Sequence, residues 1–212
     1  MLIQSQVGPV ASTQSISAGV QSPLRAGNMG DVIMSELHGR YYENAYRRNL
    51  FTAASTAAVA TVALGTTASY TGLYLANPIG STVNIVLLKA TWAASVAVPT
   101  AGYVVLEAGY SGATNVTAGG AITPSNNFVG VGAAGQALAG AGSATLPIAP
   151  VAKAFLSSTG SVATTSTGIQ PMGIIDLEGS LILPPGGFAA FATFATNTAA
   201  WWFSFSWEEV PV

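Results

Sequence analysis

The chain of 212 residues is half hydrophobic but only 7% charged, with a formal net charge of −2, one histidine and no cysteine. Charged residues make up roughly a quarter of an ordinary soluble protein, so this surface is built largely from Ser, Thr, Asn, Gly and Ala and offers little repulsion between copies. The missing cysteines exclude disulfide frameworks and thiolate metal sites, and a lone histidine argues against a His-based metal centre.

Met1 to Gln6 shows no basic segment followed by an apolar one, so no secretory signal is expected and synthesis in the cytoplasm is the default. No run reaches the roughly eighteen apolar residues of a membrane helix. Residues 1 to about 30 are polar and small, with Gly8-Pro9, Gly19, Ser22-Pro23, Gly27 and Gly30 too close together for a long regular element. They read as an extended arm. With so few large apolar groups, such an arm orders only against its own sheet or another subunit.

Between positions 25 and 48 the character changes. Four of the six basic residues (Arg25, Arg40, Arg47, Arg48) and three of the eight acidic ones (Asp31, Glu36, Glu43) lie there. Glu36–Arg40 and Glu43–Arg47 are i,i+4 pairs in the favourable orientation, and Ile33, Leu37 and Tyr41 recur every fourth position, which predicts a short amphipathic helix. Gly39 weakens it by about 1 kcal/mol relative to alanine. His38 falls in this segment with no second ligand or nucleophile near it in sequence, so a hydrogen-bonded interface role is expected of it. Arg40-Tyr41-Tyr42 and Tyr46-Arg47-Arg48 interleave the residue types that single-stranded nucleic-acid binders use. Four arginines against three carboxylates leave little net positive charge in an acidic chain, so no nucleic-acid partner is expected. Arg and Tyr are also enriched at interface hot spots. Arg40, Tyr41, Tyr42, Tyr46, Arg47 and Arg48 are therefore the candidate protein-interface residues.

Thereafter strands and turns dominate. Eight strands are predicted: Val59–Leu64, Tyr70–Leu75, Val83–Thr91, Ala101–Glu107, Pro171–Leu177, Gly179–Leu183, Phe188–Ala195 and Ala199–Glu208. Gly65, Asn77-Pro78, Val98-Pro99, Gly109, Pro184-Pro185-Gly186-Gly187 and Asn197 bound them. The glycine- and alanine-rich stretch from Val129 to Ala149 reads as a long surface loop, or alternatively as a contact loop ordered by a neighbour. Short strands with turn signals and almost no helical pattern predict an all-β fold: an antiparallel jelly roll or β-sandwich. The expected division is an arm and charged docking segment over 1–55 and the sandwich over 56–212.

Asp176 and Glu178 flank Leu177 and would share one face of a strand, as a carboxylate pair for cation binding or acid–base work would; a strand end meeting solvent before Gly179 is the plainer reading. Glu208 and Glu209 read as a solvated strand terminus. In the last strand Trp201, Phe203, Phe205 and Trp207 alternate with Trp202, Ser204, Ser206 and Glu208. The first set is predicted to face a core, and the nearly uncharged second set to be covered by a second sheet, a subunit or the arm. No Gly-x-Ser-x-Gly, P-loop or dinucleotide fingerprint occurs, so no enzyme and no cofactor are expected.

The segment Gly30 to Phe51, the Gly/Ala/Thr-rich β region after it, and the closing Leu183-Pro-Pro-Gly-Gly-Phe188 and Trp207-Glu-Glu-Val-Pro211 together resemble virion structural proteins of tailed bacteriophages. Within that group the chain looks most like capsid decoration (cement) proteins. The resemblance implies a jelly-roll subunit, a homotrimer over joints between capsid hexamers, the major capsid protein as partner, and the capsid exterior as location, with the arm and charged segment against the shell. It supplies no catalytic residues. A tail or fibre component with a host-surface or glycan-binding role, using Trp202 as an aromatic platform, is the alternative; a glycan hydrolase using Asp176 and Glu178 and a membrane β-barrel are the other rivals.

Overall fold

The alternation after Asn197 becomes a 15-residue strand in which Trp201, Phe203, Phe205 and Trp207 are buried, as their period-two spacing predicts. The structure, a computed structural model, describes residues 5–6, 24–25, 39–94, 102–130, 134–159 and 172–212. The chain divides into two compact units, Met1–Tyr42 and Glu43–Val212. In the first, Ser5–Gln6 (β1) pairs in parallel with Leu24–Arg25 (β2). The predicted helical periodicity over 33–41 and His38 lie mostly or wholly outside the described residues. The helix that is described is one turn long, Tyr42–Tyr46 (α1).

The second unit is an antiparallel β-sandwich. Its strands are β3 (Leu50–Ala54), β4 (Val59–Thr61), β5 (Leu73–Ala76), β6 (Val83–Ala94), β7 (Gly102–Tyr110), β8 (Ala121–Ile122), β9 (Ser125–Asn126), β10 (Leu138–Ala141), β11 (Val151–Thr159), β12 (Met172–Leu183), β13 (Gly187–Thr193) and β14 (Asn197–Pro211). One sheet has the order β11-β7-β13-β5-β10-β8; the other has β12-β6-β14-β3-β9, with β4 also pairing with β14. Between them lies the main core. Leu73, Leu75, Val104, Leu106 and Phe191 of the first sheet meet Phe51, Ile85, Leu87 and the four β14 aromatics of the second. Phe191 stacks on Phe203 and Phe205 with ring centroids 4.3 and 4.7 Å apart. Because aromatic side chains bury the most apolar surface per residue, this stack is the centre of the packing.

A second, smaller core lies on the outer face of the first sheet. Tyr74, Ala76, Phe188 and Ala190 point outward there and are packed against Tyr70, Val116, Ala144 and Leu146 from the connecting segments, with Val62 alongside. Covered on both faces, β13 is buried at every residue and reads as a continuous apolar run rather than an alternation. The turn between β12 and β13 carries the chain from one sheet to the other. Gly187 N donates to Pro184 O at 2.7 Å and Gly186 has φ +90°, the left-handed conformation that position i+2 of a type II turn requires.

Several sequence expectations are corrected. The stretch from Val129 to Ala149 is no loop throughout: β10 pairs with β5 inside it, and Ala137, Ala139, Ala144 and Leu146 are buried. Small residues are used there because backbones approach closely; a Cβ on Gly140 would lie 2.4 Å from the Tyr74 hydroxyl. The two strands expected either side of Glu178 are one strand, β12, whose register against β6 slips between Asp176 and Leu181. Leu50–Ala54 and Val151–Thr159, not predicted as strands, pair with β14 and β7.

Candidate functional site

The candidate interface residues fall in both units. In the first, Arg40 is exposed, its guanidinium 5.9 Å from the centroid of the half-buried Tyr41 ring, and Tyr42 is exposed. In the second, Tyr46, Arg47 and Arg48 are exposed. The helix stops at Arg48 by a Schellman arrangement: Arg48 N donates to Ala45 O at 3.0 Å and Asn49 N to Asn44 O at 3.1 Å. Arg48 occupies the left-handed position, φ +66°, where glycine is usual. Its side chain explains the exception, because the guanidinium sits 5.3 Å from the centroid of Phe128. Tyr46 meets the same ring edge-on at 6.2 Å.

Phe128 is thus the organiser of the second-unit group, and sequence reading missed it. It lies on the segment after β9, 80 positions beyond Arg48, tied down by Asn126: Asn126 Nδ2 donates to Arg48 O at 2.7 Å and Phe128 N to Asn126 Oδ1 at 2.8 Å. Val129 beside it is 90% exposed. Asn44 Nδ2 donates to Glu208 at 2.8 Å, and partial burial holds the Glu208 carboxyl above the usual carboxylate range. The result is a patch at the β9 edge of the second sheet in which exposed Tyr46, Arg48 and Val129 surround the half-buried Phe128.

A second surface occupies the outer face of that sheet. Cross-strand register aligns Ile174, Thr91, Ser204 and Ala54 in one row, and Met172, Ala93 and Trp202 in the next. An open groove of about 470 Å³ runs over these rows. Met172, Ile174 and Trp202 are 79%, 60% and 40% exposed. Thr91 and Ser204 bond to each other at 2.6 Å, as do Thr52 and Ser206 at 3.1 Å, so the hydroxyls are largely satisfied within the sheet and the groove is apolar in character. On this face Thr91, Ala93, Ser204 and Ser206 are half-buried, while Met172, Ile174 and Trp202 stand out.

The carboxylate pair does not form on a regular strand. Asp176 and Glu178 are both exposed, but Glu178 (φ +47°) and Gly179 (φ +83°) make a left-handed bulge at the register slip. Glu209 is the larger correction. Far from a solvated terminus, it is 7% exposed and accepts the backbone N–H groups of Gln136 and Ala137, with Trp207 Nε1 at 3.4 Å. The carboxylate fastens the lead into β10, in the first sheet, to β14, in the second. Among the described residues no group of three or more His, Asp or Glu side chains is arranged to hold a metal ion, and no helix is long and apolar enough to cross a membrane.

No protein-family model matches the chain, and no curated protein or solved structure matches it either. The two surfaces therefore stand on their own chemistry. The first offers aromatic edges and guanidinium groups; the second offers a nearly charge-free apolar groove. Both chemistries suit contact with another protein surface.

Proposed function

We propose that this protein is a non-enzymatic virion structural protein of a tailed bacteriophage that decorates or cements the capsid exterior as a homotrimer seated on the major capsid protein. One observation carries the reading: the two long edge strands of the sandwich, β11 and β12, present Val151, Phe155, Met172, Ile174 and Ile182 outward, each more than half exposed. Surfaces of this kind on a chain with so little charge favour association over life as a monomer. The resemblance of the Gly30 to Phe51 segment and the closing motifs supplies the capsid as the partner.

The edges also favour a mode of contact. β11 has register slips at two places and carries Lys153, and β12 has its bulge and Asp176. Bulges and charges blunt a sheet edge against strand-to-strand addition. Association in this reading therefore runs through side-chain faces, with the Tyr46–Phe128–Arg48 patch and the Trp202 groove as the contacting surfaces.

The test is to mix the purified protein with capsids that lack it, measure co-sedimentation, and determine its own oligomeric state by analytical ultracentrifugation. Saturable binding by a trimer supports the reading; a protein that stays monomeric at high concentration and leaves capsids bare overturns it. The exposed Trp202 ring favours a second reading, a tail or fibre component that stacks a sugar on that side chain. Glycan binding that vanishes in Trp202→Ala, with no capsid binding, selects it.

A further inference from the structure

Glu107 lies in β7 on the outer side of the first sheet and is completely buried. Its register neighbours are Ala190 of β13 and Ala152 of β11, so no polar group flanks it along the sheet. One oxygen accepts a single hydrogen bond, from the backbone N–H of Gly65 at 3.2 Å; the other has no partner among the described residues. The titratable group facing it is Tyr70, whose hydroxyl lies 2.5 Å from Phe191 O and 3.1 Å from Leu73 O and donates to these carbonyls rather than to the carboxyl. Lys153 follows Ala152 on β11 but is exposed. Thr61 and Thr193 bond to each other at 2.7 Å.

The segment that reaches Glu107 is held at both ends. Thr193 N donates to Val62 O and Leu64 N to Thr193 O, at 3.1 and 3.0 Å; Leu146 N donates to Thr67 O at 2.9 Å, and Tyr70 and Ala144 exchange two backbone bonds at 2.8 Å. Between the Leu64 and Thr67 anchors, Gly65 (φ +78°) turns the chain, and the Gly65–Glu107 bond joins this short turn to the sheet. Val62 and Tyr70 from this segment pack on the second core.

We propose that Glu107 is a protonation-gated latch: as the neutral acid it holds the Gly65–Thr66 turn down against the outer face of the first sheet, and on ionising it releases that turn to water. A buried carboxylate with one weak donor is strongly disfavoured, whereas the neutral acid in the same place loses far less. Ionisation thus requires either more donors or solvent, and lifting the short turn between the Leu64 and Thr67 anchors provides solvent. Burial raises the Glu107 carboxyl to about 7, which puts the change near neutral pH.

Hydrogen exchange at the amides of Gly65 and Thr66, corrected for intrinsic rates between about pH 5 and pH 9 and compared with the anchoring Leu64 amide, tests this. Protection in the wild type is expected to fall by more than about ten-fold across that range, and Glu107→Gln, which keeps an acceptor for Gly65 without a charge, is expected to stay protected throughout. A wild type equally protected at both ends of the range, or a Glu107→Gln variant that loses protection as the wild type does, overturns the latch. Infrared spectroscopy of the intact wild type needs no variant: a protonated carboxyl band at about pH 6 that disappears by about pH 9 is expected, and its absence at the lower pH overturns the latch as well.

Discussion

Both carboxylate oxygens of Glu209 accept the backbone N–H of Gln136, at 2.9 and 3.0 Å, which fixes the entry to β10 against the end of β14. Removing the carboxylate leaves the Gln136 and Ala137 N–H groups in a half-buried to buried place without their acceptor. Glu209→Ala is therefore expected to lower stability by about 2–3 kcal/mol, read by denaturant unfolding, with Glu209→Gln in between because one acceptor oxygen remains. An unchanged midpoint for Glu209→Ala would show that water reaches those amides.

Phe191 is the ring that β14 packs around. Phe191→Ala is expected to cost about 3–5 kcal/mol, while Phe194→Ala, three positions on and 67% exposed, should cost less than about 1 kcal/mol. Equilibrium unfolding of the two variants side by side checks the assignment of the core face.

The Arg48 backbone and side chain oppose each other. Arg48→Gly relieves a left-handed conformation worth about 1–2 kcal/mol but loses a contact with Phe128 worth about 0.5–1 kcal/mol; Arg48→Ala loses the contact and keeps the strain. The glycine variant should accordingly be the more stable of the two by about 1 kcal/mol or more in thermal unfolding. If the patch serves the proposed docking, both variants bind capsids less well whatever their stability.

Stability should fall as the medium becomes alkaline. Glu107 has a folded pKa of about 7, above its ordinary value of 4.5, so its contribution is fully present below about pH 4.5 and is lost as pH rises through 7. Glu208 acts in the same direction, raised by its burial. A melting temperature higher at about pH 5.5 than at about pH 8.5, with most of the difference abolished in Glu107→Gln, is the expected result.

Ser204→Asp places a charge in the middle of the apolar groove beside Thr91. The fold is expected to survive, at a cost of about 1–2 kcal/mol from the broken hydroxyl bond and partial desolvation. If the groove serves the proposed association, assembly or capsid binding should be lost. Normal assembly of a folded Ser204→Asp protein would show that this face stays open to water and takes no part in association.

How far the chain is legible without coordinates depends on whether a residue's role is local. The alternation of Trp201, Phe203, Phe205 and Trp207 and the Pro-Pro-Gly-Gly turn are local patterns, and they specify an all-β sandwich and the buried face of its last strand, because strand periodicity and turn conformation act between near neighbours. The charged segment likewise marks itself by composition. What composition leaves open is decided by partners distant along the chain. Phe128 joins Tyr46 and Arg48 only because β9 pairs with β3, Glu209 is a clamp only because β10 arrives beside β14, and Glu107 is buried only because the Val62–Tyr70 segment crosses the outer face of its sheet. A carboxylate looks the same in a sequence whether it ends a strand in water or closes a core; only the tertiary structure, by bringing or withholding donors and solvent, decides which.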